Sequence, residues 1–103
     1  MKMMISGSVE VTTTDETEVF SVPRDYIAYL KRLEIVNKAA SLATVQIKFY
    51  NGASSKVVMN KTVAANEMLV LAENELPLEA CPTKITVVAD QQPYRVDFSV
   101  VLV

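Results

Sequence analysis

Hydrophobic and polar residues alternate along most of this chain with a period of two, the signature of half-buried β-strands. Val45, Ile47 and Phe49 alternate with Gln46 and Lys48, and the run stops at Asn51-Gly52, a pair that favours a hairpin turn. Beyond Gly52-Ala53-Ser54-Ser55 the alternation resumes. Val57, Met59, Lys61 and Val63 fall on one face, with Val58, Asn60 and Thr62 on the other. The two segments are expected to pair as an antiparallel hairpin. The final segment is the clearest, with Tyr94, Val96, Phe98, Val100 and Leu102 on one side and Arg95, Asp97 and Ser99 on the other. Lys84 to Ala89 alternates in the same way and is joined to it through Asp90-Gln91-Gln92-Pro93.

Upstream, Leu33, Ile35 and Asn37 alternate with Glu34 and Val36, preceded by Tyr26 to Leu30. Ile5 to Val11 and Glu18 to Val22 are strand-like on either side of the polar Thr12 to Glu16, and Met68 to Leu71 adds one more short strand. Helical alternatives are few. Asp25 to Arg32, with Asp25 as a possible N-cap, is the best of them. Ala39 to Ala43 is too short, and Glu67 to Glu75 runs into Pro77. About eight strands spaced at roughly 8–14 residues predict an all-β protein. The expected fold is a small antiparallel β-sandwich, jelly-roll or immunoglobulin-like, formed as a single domain over residues 1–103. Residues 1–12 are either an N-terminal arm or the first strand.

Composition narrows the chemistry. The chain is 50% hydrophobic and 21% charged, with 2 glycines and 4 prolines, which argues for a packed core and against disorder. Its net charge of −2 comes with no basic cluster, so no nucleic-acid partner is expected. There is no histidine, which removes the commonest general base and metal ligand. The single cysteine, Cys81, cannot form an intramolecular disulfide. The opening Met1-Lys2-Met3-Met4-Ile5-Ser6-Gly7 is too short in apolar residues for a secretory leader, and no apolar run approaches a membrane span. A soluble protein made without a leader, with no membrane partner, is the expectation.

Each candidate for chemistry has a plainer reading. Cys81, in Glu79-Ala80-Cys81-Pro82, has no histidine to raise its thiolate fraction and reads as a small turn residue. Glu73, Glu75 and Glu79, like Asp15, Glu16 and Glu18, lack the spacing of a calcium loop and read as solvated carboxylates. Asn60-Lys61-Thr62 matches the glycosylation pattern by chance. Tyr26, Tyr29, Tyr50 and Tyr94 suggest a sugar-stacking platform, but without tryptophan they read as core and rim. No catalytic residue, metal, cofactor or small-molecule substrate is expected, and the chain is not expected to be an enzyme.

The C-terminus breaks the pattern. From Val100 both faces of the last strand turn apolar, Val100 and Leu102 on one side and Val101 and Val103 on the other. A strand with one solvated face does not need this. Either the strand end is packed between two layers, or Val101 and Val103 face another chain. Met1, Met3 and Met4 add a second apolar element suited to adaptable contacts. These five residues are the candidate interface, and Val101→Asp is expected to weaken association while leaving the monomer folded.

From about Leu33 onward the chain resembles small β-sandwich virion proteins of tailed bacteriophages. The resemblance is carried by Leu33 to Asn37, Ala43 to Gly52, Thr62 to Glu67, Leu76 to Glu79, Lys84 to Ala89 and the final alternating strand. Lys38 to Leu42 fills the place of a small loop rich in Ser, Ala and Asn. At Ala65-Asn66-Glu67 an asparagine stands where such proteins often carry glycine, and asparagine tolerates left-handed backbone. Ala80-Cys81-Pro82-Thr83 replaces the more usual Gly-Asp. The resemblance implies a structural role on a particle assembled in the host cytoplasm, first as a head decoration (cement) protein. A tail, neck, baseplate or fibre-associated part follows, and then a carbohydrate- or host-surface-binding module. The implied partners are copies of the chain itself and a major capsid or tail protein.

Overall fold

Eight strands account for all the regular structure in a computed structural model that describes residues 3–72 and 83–103. They are β1 (Met3–Val11), β2 (Thr17–Ser21), β3 (Ala28–Asn37), β4 (Ala43–Tyr50), β5 (Ser55–Val63), β6 (Met68–Ala72), β7 (Lys84–Ala89) and β8 (Tyr94–Leu102). Asp25 to Arg32 is not helical. Its second half enters β3, and Asp25 takes φ 70° in the turn that precedes it.

The strands form two four-stranded antiparallel sheets, ordered β1-β8-β3-β6 and β2-β7-β4-β5. Strand one pairs with eight, two with seven, three with six and four with five. A long hairpin rolled up on itself makes these four pairings, and the roll then brings β3 against β8 and β4 against β7. This is the jelly-roll order, so of the two expected sandwich topologies the immunoglobulin-like one is set aside.

Period-two alternation places the apolar faces of both sheets inward. Leu33, Ile35, Val96, Val100 and Leu102 of the first sheet meet Val45, Ile47, Ile85 and Val87 of the second, all almost fully buried. Phe20 and Phe98 join the layers with ring centroids 5.3 Å apart. Phe98 also lies over Gly7, where an added Cβ would come within 2.4 Å of the ring, so any side chain there would force the ring to move.

Bulges break the alternation in three places, and each re-aims side chains. In β3 the register to β8 shifts between Leu30 and Arg32. The core face therefore changes from Ala28 and Leu30 to Leu33, Ile35 and Asn37, which fuses two apparent strand segments into one. In β5 the register to β4 passes from Met59 to Val57, leaving Val58 as the extra residue. Val57, expected to share a face with Met59, is consequently exposed, while Val58 packs against the core. The third bulge lies between Glu18 and Phe20.

Turn chemistry follows the sequence. Gly52 takes φ 95° in the β4–β5 turn, with Asn51 Oδ1 accepting from the Ala53 and Ser54 amides. Asn66 takes φ 61° in the β5–β6 turn, occupying the left-handed position without glycine.

The described connections lie at the two ends of the sandwich. The β1–β2, β3–β4, β5–β6 and β7–β8 connections gather at one end of the sandwich. At the other lie the β2–β3 and β4–β5 turns, the start of β1 and the end of β8.

Candidate functional surface

Asn37 organises the end that holds the β3–β4 and β5–β6 turns. Its side chain is fully buried, and Nδ2 donates to the carbonyls of Ser41, Val63 and Ala64 at 3.0, 2.9 and 3.2 Å. Its Oδ1 accepts the Ala39 amide at 2.9 Å. One side chain thus ties the β3–β4 turn to the β5–β6 turn and satisfies backbone groups that burial would otherwise leave unpaired. The role is architectural.

The opposite end differs. On the outer face of the first sheet, Met4, Val101 and Tyr29 stand side by side across β1, β8 and β3. One row further out, Ile27 and Val103 exchange two backbone hydrogen bonds of 2.9 Å, which extends the β3–β8 ladder to the last residue. Tyr26 belongs to the turn before β3, its amide donating to the Pro23 carbonyl, and Met3, paired with Leu102, sits at the same end on the inner side of β1. Met4 is 68% exposed, Ile27 50%, and Val103, Tyr29, Tyr26 and Met3 each more than a third. Six apolar or aromatic side chains thus share one end, a density that marks contact surfaces on small proteins.

Of the candidate interface residues, Met4 and Val103 lie on this patch, and Met3 is exposed at the same end on the other face of β1. Met1 lies outside the described residues. Val101 requires correction, because it is only 4% exposed. It points away from the core residues Val100 and Leu102, yet Met4 and Tyr29 flank it on both sides. Val101 is the floor of the patch, and an aspartate there would bury a charge in the monomer instead of sparing the fold. Tyr26, Ile27 and Tyr29 were missing from the candidate set. Their exposure depends on the bulge near Lys31, which puts Leu30 in the core and Tyr29 outside.

Several polar groups on the other described surfaces are paired. Beside the patch, Ser6, Ser99, Arg32, Glu34 and Asp97 line a depression of about 210 Å³, smaller than most ligand sites. Arg32 is paired with Glu34 at 2.8 Å, and Asp97 with Arg95 at 3.0 Å. On the second sheet, Glu16 pairs with Lys48 at 2.7 Å, and Lys84 lies 4.8 Å from the Tyr50 ring centroid. Asp15 accepts from the Thr13 hydroxyl. Cys81, Glu73, Glu75 and Glu79 lie outside the described residues.

The four tyrosines do not form one platform. Tyr94 is in the core, with its hydroxyl directed to the Val87 carbonyl at 3.4 Å. Burial raises its pKa above the ordinary 10.0, opposed in part by a hydrogen bond with Thr17. Tyr50 belongs to the second sheet, and only Tyr26 and Tyr29 share the apolar end.

No protein-family model matches the chain, and no curated protein matches it in sequence. Solved structures share its fold. A structure of PirA superposes with a TM-score of 0.54 at 18% identity, covering 93% of this chain and 90% of that one. A subunit from Bacillus endospore appendages, described as a family of disulfide-linked pili, gives 0.50 at 14% identity, with coverage of 99% and 88%. The T13 viral particle of IBDV gives 0.52 at 13% identity, with this chain spanning 98% of its own length and 30% of the viral chain. At these identities the likeness is one of fold.

Proposed function

We propose that this chain is a non-catalytic structural subunit that assembles through its surface with copies of itself and with a larger partner protein. The observation that carries the reading is the apolar end formed by Met3, Met4, Tyr26, Ile27, Tyr29 and Val103. Exposed apolar area of this kind is a liability in a free monomer and an asset in an assembly, where burying it contributes about 25 cal/mol per Å². On the rest of the described surface, ion pairs join Arg32 to Glu34, Lys48 to Glu16 and Arg95 to Asp97. Chains of similar fold occur in a pilus and in a viral particle, which supports the reading by analogy.

Within this class we favour a virion protein of a tailed phage, first as a head decoration protein, on the resemblance that begins at Leu33. Many symmetric copies would strengthen even a modest individual contact through avidity. Sedimentation velocity tests the general claim. The wild-type chain should form concentration-dependent oligomers, and Ile27→Asp/Tyr29→Asp should weaken them with the melting temperature unchanged. A wild-type chain that stays monomeric and binds no particle would refute it. Imaging of particles with and without the chain tests the finer claim. Loss of a surface knob, with heads that rupture earlier on heating, supports decoration, and intact heads lacking tails would exclude it.

A further inference from the structure

We propose that the outer edge of β1 pairs with β1 of a second copy, antiparallel, joining two sandwiches through one continuous eight-stranded sheet. The inference rests on the self-association reading but uses a different surface.

The two sheets have four edges, β1, β6, β2 and β5. Strands β6 and β2 are five residues each, and β2 is bulged. Strand β5 is long, yet it is bulged at Val58 and carries Lys56 and Lys61 opposite Phe49 and Val45. Those lysines lie on the core-facing side of the edge, where an added strand would have to cover their ammonium groups. Short strands, bulges and inward lysines are the devices that block edge-to-edge pairing.

Strand β1 has none of them. Its nine residues pair with β8 in unbroken register, and Met3 to Val9 carry no charge. Its one charged residue, Glu10, is already held by Lys38. Among the described residues nothing pairs with its other side. A regular, uncharged edge presents alternating N–H and C=O groups, and the group that satisfies them is another extended strand.

The sequence of β1 also fits its own copy. Ile5, Gly7 and Val9 face the core side, and the exposed Ser6 and Ser8 face outward. A two-fold antiparallel pairing centred on Ser6 or Gly7 sets odd positions opposite odd and even opposite even. Apolar residues then continue the inner layer, serines meet on the outer face, and Met3 to Val9 bring no like charges together. The antiparallel arrangement leaves the two apolar ends at opposite ends of the pair, so the dimer is bivalent for the contacts proposed above.

The test uses the full chain with Cys81→Ser and one new cysteine at a time, under mild oxidation. Ser6→Cys chains alone should give a covalent dimer when Ser6 lies on the two-fold, an equimolar mixture of Ser6→Cys and Ser8→Cys chains should give one when Gly7 does, and Thr62→Cys on the β5 edge should give none. Ser6→Lys/Ser8→Lys should raise the dimer dissociation constant at least about ten-fold without lowering the melting temperature. Cross-linking through Thr62 but not β1, or a wild-type dimer indifferent to the paired lysines, would overturn the proposal. Ile27→Asp/Tyr29→Asp separates the two surfaces. Retained cross-linking at β1 supports the edge contact, whereas its loss would mean that dimers form through the apolar end and the edge is free.

Discussion

At the scale of single residues, the side chains that matter most are those whose surroundings contradict their type. Asn37 is polar and fully buried, and its four hydrogen bonds make that burial tolerable. Asn37→Ala should cost about 2–4 kcal/mol in chemical denaturation, because carbonyls and one amide would lose their partner in place. Val101→Asp should destabilise the monomer by about 3 kcal/mol or more, read in the same way, since the almost fully buried site would strip the carboxylate of water. Tyr94 gives a pH dependence. Its folded pKa lies above the unfolded value near 10.0, so the folded state holds its proton more tightly. That contribution is fully present below about pH 10 and is lost as pH rises through the higher folded value. Thermal melts should therefore show a drop above pH 10 that Tyr94→Phe reduces. None of these roles was legible from residue type alone. Asn37 sat in the alternation as one more inward position, and only the loops folding over it reveal why asparagine stands there.

At the scale of elements, period-two patterning located every strand of the described residues and misjudged a face in β5, where a bulge intervenes. Strand β4 and its turn were readable because Val45, Ile47 and Phe49 keep step up to Asn51-Gly52. In β5 the extra residue shifts the phase, and in β3 the change from Leu30 to Leu33 hides one continuous strand behind two patterns. A bulge is set by both strands of a pair, so a single segment does not announce it. Lysine substitution separates the alternatives. Val57→Lys should change stability by no more than about 0.5 kcal/mol, whereas Val58→Lys should cost about 1–2 kcal/mol in urea unfolding. Equal costs would place the bulge elsewhere.

At the scale of the whole molecule, the fold concentrates different work at its two ends. Among the described residues, four connections and the Asn37 network close one end, while the start of β1, the end of β8 and a group of exposed apolar side chains gather at the other. The termini were readable as unusual, because Val101 and Val103 broke the two-faced pattern and the methionines were conspicuous. Tyr26, Ile27 and Tyr29 were not, because their place depends on β3 lying beside β8. Methionine oxidation footprinting tests the central claim directly, since Met4 and Met68 are both well exposed, at opposite ends of one sheet face. Pulsed oxidation of dilute and concentrated protein should show Met4 protected on assembly and Met68 unchanged. Equal oxidation of Met4 in the monomer and the assembly would contradict the account.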